Sequence, residues 1–164
     1  MRSAKGGHVV RIQSVSLDNR KHAFVLETER GTFSYPFAKC DPAPTPADRV
    51  AEFWVDDELA REGLTYRLVS GQEGCVLVDM ALDYNREPSY MRDLLLHQLT
   101  VEALRTLESS GLAKREVIRR LGTSPAQLYR LLDPADYSKS VDKMLELLSV
   151  LGCDVEFTVR QRSA

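Results

Sequence analysis

The residues of this chain best equipped for chemistry gather in its C-terminal half. In the run SPAQLYRLLD, Leu128, Leu131 and Leu132 fall on one side of a helix turning about 100° per residue, and Ala126 and Arg130 fall opposite, flanked by Gln127 and Tyr129. Arginine can hydrogen-bond guanine through two edges, glutamine can do the same with adenine, and an alanine methyl can meet the thymine methyl. The exposed set therefore carries major-groove chemistry. An ordinary solvated helix face has the same composition, so the face alone leaves both readings open. Farther along, Lys139 stands beside a helix start at Ser140, where backbone N–H groups point outward, and is placed for a phosphate contact.

Other chemistries find less footing. Cys40, Cys75 and Cys153 are odd in number and far apart, with no CxxC and no histidine at metal-ligand spacing, so free thiols and no metal or other cofactor are expected. His8, His22 and His97 are scattered, and His97 falls in a leucine-rich helix where a hydrogen-bonded packing role is expected. Catalysis would need a converging set such as Asp79, Asp83 and His97. Those residues have no recognised catalytic spacing, and the chain reads as a non-enzyme.

These side chains are carried by 164 residues, 43% hydrophobic and 28% charged, a globular composition able to bury one medium core or two small ones. No stretch approaches the roughly 20 apolar residues of a membrane helix, and the start MRSAKGGHVVRIQ lacks the apolar core of a signal peptide, so no membrane partner and a cytoplasmic location are expected. The net charge of −2 argues against a coat of basic charge. It is uneven, however: Leu112 to Lys143 holds seven basic and four acidic residues, a surplus of three that leaves −5 for the remainder. A local basic face suits a partner touched at one place.

The elements that must position this face read as an α+β chain. Up to about Met80 the pattern is β, with VVRIQSVSL, the turn DNRK, HAFVLETE, a turn at Gly31, and TFSYPF. After the proline-rich loop CDPAPTPAD come RVAEFWVD, LTYRL, the turn SGQEG and CVLVDM. The alternation of Ala23 and Val25 and of Phe33, Tyr35 and Phe37 predicts antiparallel sheets with one wet face. The GxxG-like turns read as hairpins rather than phosphate loops, because no helix N-terminus follows them. From Ser89, a candidate N-cap after Pro88, the period becomes helical. The segment SYMRDLLLHQLTVEALRTLESSG has leucines in too many directions for one stripe, which predicts a helix buried on more than one side, bridging two halves, or broken near Thr100. The expected division is residues 1–88 as an antiparallel β-rich domain and 89–164 as an all-α domain with a short C-terminal strand.

Within GLAKREVIRRLGTSPAQLYRLLD, Val117, Ile118 and Leu121 give a first short helix its apolar face, and Gly122 supplies a turn residue able to take positive φ. Ser124 caps a second helix with Pro125 at its first position. Residues 100–152 resemble the helix-turn-helix family of phage-repressor and antitoxin type (Xre/Cro-like). The match rests on two short helices around Gly122, with Glu116, Leu121, Ser124, Leu128, Arg130 and Leu131 at familiar positions. That resemblance implies that Lys114 meets DNA phosphate, and that Ser124, Pro125, Ala126, Gln127, Tyr129 and Arg130 lie where the second helix enters the groove. Ile118 departs from the small residue usual at the helix crossing, and Ala113 from the usual Ser or Thr cap. Pro125 and Ala126 offer less hydrogen bonding than the Gln or Ser often found there.

After the loop DPADYSKS, Ser140 caps a helix VDKMLELLSVLG, and CDVEFTVRQR alternates Val155, Phe157 and Val159 as a closing strand. That strand resembles the ends of antitoxin-type regulators that pair between subunits, which implies a homodimer. Residues 9–84 resemble, more weakly, a small α+β domain of unknown function that precedes such units. The expectation is a sequence-specific DNA-binding transcriptional regulator, in the manner of an antitoxin-like autorepressor acting as a dimer on a palindromic double-stranded operator, with a toxin or other protein as a further partner. The alternative is a protein-interaction adaptor whose helix-turn-helix no longer reads DNA.

Overall fold

The computed structural model describes residues 9–163; His8, with the rest of residues 1–8, lies outside them, as does residue 164. The described chain is mixed α+β, with two three-stranded antiparallel sheets and five α-helices. It separates into two compact units, one within residues 9–91 and the other within 92–163.

The first unit is built from two consecutive meanders. Strands β1 (Ile12–Asp18), β2 (Ala23–Thr28) and β3 (Gly31–Pro36) pair in sequence order, and β4 (Val50–Val55), β5 (Gly63–Leu68) and β6 (Glu73–Leu77) do the same. The first turn is local chemistry: the Asp18 carboxylate accepts from the backbone N–H groups of Arg20 and Lys21, both at 3.0 Å. Period-2 alternation buries Leu64, Tyr66 and Leu68 of β5 beneath Phe24 and Leu26 of β2, and the rings of Phe24 and Tyr66 lie 5.1 Å apart. Tyr66 reaches across its sheet to donate its hydroxyl to the Pro42 carbonyl at 2.6 Å, lying over Gly74, its partner on the neighbouring strand.

The apolar run CVLVDM does not continue as a strand. Pairing ends where Leu77 faces Gly63, and α1 (Val78–Tyr84) begins, burying Val78, Ala81 and Leu82 on one face. Buried valines at 76 and 78 suit either period, which is why the sequence reads as strand there. The cap of α2 (Pro88–Ser110) is not Ser89 either. Pro88 occupies the first helical position, and the Glu87 carboxylate one residue earlier accepts from the Tyr90 N–H at 2.7 Å.

Helix α2 is unbroken over 23 residues. Tyr90 packs in the core of the first unit, whereas Leu96, Leu99, Ala103 and Leu107 belong to that of the second. Those four form one stripe at helical spacing rather than two opposed faces, with Leu95 and Leu104 half-buried beside it. Thr100 breaks nothing: it is fully buried, and its hydroxyl donates to the Leu96 carbonyl at 2.7 Å. The remaining helices of the second unit, α3 (Lys114–Leu121), α4 (Pro125–Leu131) and α5 (Val141–Val150), close over this stripe with Val117, Leu128, Leu131, Met144, Leu147 and Leu148.

The expected closing strand is absent from the single chain. Residues 153–163 pair with no edge among the described residues, and only Cys153 and Val155 pack on the helical core. Phe157 and Val159 stand in solvent, 61% and 95% exposed. An alternating sequence becomes a strand only when another edge supplies its hydrogen bonds.

Candidate nucleic-acid interface

Two short helices and the turn between them carry the residues singled out by the sequence. Gly122 ends α3 in the left-handed conformation, φ 65°, and its N–H closes the helix on Arg119. Ser124 then starts α4: its hydroxyl accepts from the Gln127 N–H at 3.2 Å, and Pro125 takes the first helical position. Burial fixes the rotation of α4. Leu128 and Leu131 are buried, Ser124, Pro125, Ala126, Tyr129 and Arg130 are exposed, and Gln127 is half-buried at the border.

Lys114 joins this face from the neighbouring helix. Its ammonium sits 5.0 Å from the centre of the Tyr129 ring, a cation–π contact that ties the first turn of α3 to the exposed side of α4. The structure thus brings Lys114 and Tyr129 together, and Ser124 with Gln127.

Lys139 does not join them. It is 1% exposed, and its ammonium donates to the carbonyls of Leu131 at 2.9 Å and Asp133 at 2.7 Å. Its place beside the start of α5 is as read, but the side chain turns inward to the end of α4 and is withheld from any phosphate.

The basic surplus is also redistributed. Arg119 and Arg120 both bind the Glu116 carboxylate, which these hydrogen bonds hold down at a pKa of about 2, and Lys143 pairs with Glu146. Glu116 is therefore turned along its own helix instead of completing a capping box, and Ala113 makes no side-chain cap. Among the described residues, Lys114, Arg115 and Arg130 make no ion pair with a carboxylate. Arg115 was not a candidate from the sequence. The signal for it was its position: it stands exposed beside Lys114 in the first turn of α3, where Glu116 supplies the one acidic charge. Ile118 is half-buried against the helical core.

The chain matches no family model, no curated protein and no solved structure.

Elsewhere the titratable groups converge less. The three cysteines are unpaired, and burial pushes the Cys40 thiol up to about 11, away from reactivity. Among the described residues no three His, Cys, Asp or Glu side chains are grouped to hold a metal ion, and no helix is long and apolar enough to cross a membrane. His97 directs a ring nitrogen to the Pro134 carbonyl at 3.4 Å, while Asp79 and Asp83 lie on α1. A shallow depression of about 510 Å³ lies between α3 and α5, floored by Leu121, Leu145 and Val150 and edged by Arg120, Asp142 and Glu146.

Proposed function

We propose that the second unit is a helix-turn-helix domain that binds double-stranded DNA selectively, with α4 in the major groove. On this reading the protein is a transcriptional regulator, an antitoxin-like autorepressor acting on a palindromic operator. The observation that carries it is the exposed face of α4: Ala126, Tyr129 and Arg130 turned away from the core, with Lys114 held at its flank. Arg130 brings a bidentate donor to guanine, Gln127 reads from the border of the face, and Lys114 and Arg115 supply charge for phosphate.

The proposal extends to a homodimer in which the tails at residues 153–163 pair as strands. Pairing would give Phe157 and Val159 the cover they lack in one chain. Selection from a random pool of duplex DNA tests both parts. A palindrome is expected to be enriched; a single half-site would overturn the dimer, and no enrichment even at low salt would overturn DNA reading. The adaptor reading draws support from the apolar-floored depression between α3 and α5, and it expects Leu145→Glu to abolish capture of a protein partner while leaving DNA selection empty.

A further inference from the structure

Lys139 is the most deeply buried charged side chain among the described residues. Its ammonium caps the carbonyls of Leu131, the last residue of α4, and of Asp133, two residues beyond. Such carbonyls at a helix C-terminus have no partner within the helix, and a cation there meets the negative end of the dipole. From the other side Arg92, on α2, donates one guanidinium nitrogen to the Tyr137 carbonyl and another to that of Lys139, each at 3.1 Å. The loop between α4 and α5 is closed further by its own turns, with Asp133 accepting from Ala135 N–H at 2.9 Å and Asp136 from Ser138 N–H at 2.8 Å.

Holding an ammonium away from water is expensive, and burial pushes the Lys139 pKa down from the ordinary lysine range. An aliphatic residue would fill the same space without that expense. What it would lack is the donor set that ends α4. Arg130 and Tyr129 lie one and two residues before the captured Leu131 carbonyl, on the last turn of α4.

We infer that Lys139 is a positioning residue for DNA selectivity: by grasping the Leu131 and Asp133 carbonyls it fixes the end of α4, and so the aim of Arg130 and Tyr129, without touching DNA itself. Arg92 is the outer half of the same latch. The inference rests on the DNA-binding reading above, and its test separates the two.

The full chain would carry Lys139→Met, which keeps the apolar stem and deletes the donors, or Arg92→Ala, which removes an exposed side chain and opens no core. Amide hydrogen exchange would be followed along α2, α4 and α5. Binding would be measured on a selected operator and on a scrambled duplex at several salt concentrations. For Lys139→Met, exchange in the last turn of α4 is expected to quicken about tenfold relative to α2 and α5, with operator affinity falling about tenfold or more. Scrambled binding and the salt slope stay as in wild type. Arg92→Ala shifts the same readings in the same direction, and by itself decides the question if Lys139→Met does not fold. Equal losses on both duplexes with a shallower salt slope would mean that Lys139 meets phosphate, overturning the inference. Unchanged exchange in α4 would overturn it equally. If wild type selects no DNA, the DNA reading fails, and the exchange arm still decides whether Lys139 holds α4: acceleration confined to its end supports the latch, and its absence overturns it.

Discussion

Replacing Arg130 and Lys114 in turn separates base reading from phosphate attraction. The Arg130 side chain is exposed and makes no hydrogen bond or salt bridge among the described residues, its charge reaching only the Asp136 carboxylate from a distance, so Arg130→Ala should change folding stability by no more than about 0.5 kcal/mol. Any loss then belongs to binding. A bidentate arginine–guanine pair is worth about 1 to 3 kcal/mol, so a dimer on two half-sites should lose about 2 to 6 kcal/mol, roughly 30-fold at the least. That loss should fall on one base position in each half-site. Lys114 differs, because its ammonium is held over Tyr129 by a contact worth about 0.5 to 1 kcal/mol at an exposed site. Lys114→Ala should weaken every duplex alike and reduce the logarithmic salt slope by about 0.9 for each phosphate that is no longer neutralised. Fluorescence anisotropy on the selected operator and its single-base variants, repeated at several salt concentrations, measures both. Wild-type affinity and base preference in Arg130→Ala would refute the assignment of α4 as the reading helix, even if some DNA binding remained.

Leu99 lies in the buried stripe of α2 and Leu94 outside both cores, so Leu99→Ala should cost about 2 to 5 kcal/mol and Leu94→Ala clearly less. Equal shifts in urea denaturation would contradict the rotation of α2 that turns Leu99 inward and Leu94 away. The Glu116 carboxyl has its pKa depressed from 4.5 to about 2 by Arg119 and Arg120, so its contribution is present above about pH 4.5 and fades as pH falls toward 2. Glu116→Gln should flatten the acid limb of the stability profile in that window, and an unchanged limb would show the pair to be inert. Truncation after Val155 removes the exposed Phe157 and Val159, so the monomer should keep its thermal midpoint while a dimer loses association. Light scattering at matched concentration reads this, and an unchanged dimer mass would take the tail out of the interface.

What the sequence made legible was chemistry that is local. Ser124 before Pro125, Gly122 at the end of α3 and Ser140 before α5 each act within four residues, and the structure finds all three in those roles. The strands of both meanders were legible from alternation and turn residues, but not all their faces and ends: in β2 Phe24 and Leu26 are fully buried and Val25 is not, and β3 stops at Pro36, leaving Phe37 in a short 3-10 turn. Val78 needed more: whether Val76 and Val78 continue a strand depends on whether another strand lies opposite, and pairing stops at Gly63. Lys139 was misplaced because its acceptors lie six and eight residues earlier, on carbonyls whose need depends on where α4 ends. Of the proposed contact face, its composition and its helical side were readable. The approach of Lys114 to Tyr129 arises from packing between helices that no spacing rule encodes, whereas the loss of Arg119 and Arg120 to Glu116, three and four residues before them on the same helix, follows ordinary helical spacing and was readable from the sequence.

The Tyr66 hydroxyl and the bare backbone of Gly74 occupy one space between them. A methyl group added at 74 would overlap that hydroxyl and crowd the Asp41 carbonyl, although the backbone at 74 is ordinary strand. The glycine is therefore needed for room and not for freedom of φ. Positions 66 and 74 are consequently tied as a pair: any side chain at 74 must lift the tyrosine from the Pro42 carbonyl and so free the start of the proline-rich loop, whose far end stays held through Asp48 and Ser70. In descendants of this chain, a residue larger than glycine at 74 should arise only after the aromatic ring at 66 has gone, so the order of the two changes is set by which one leaves the loop somewhere to rest.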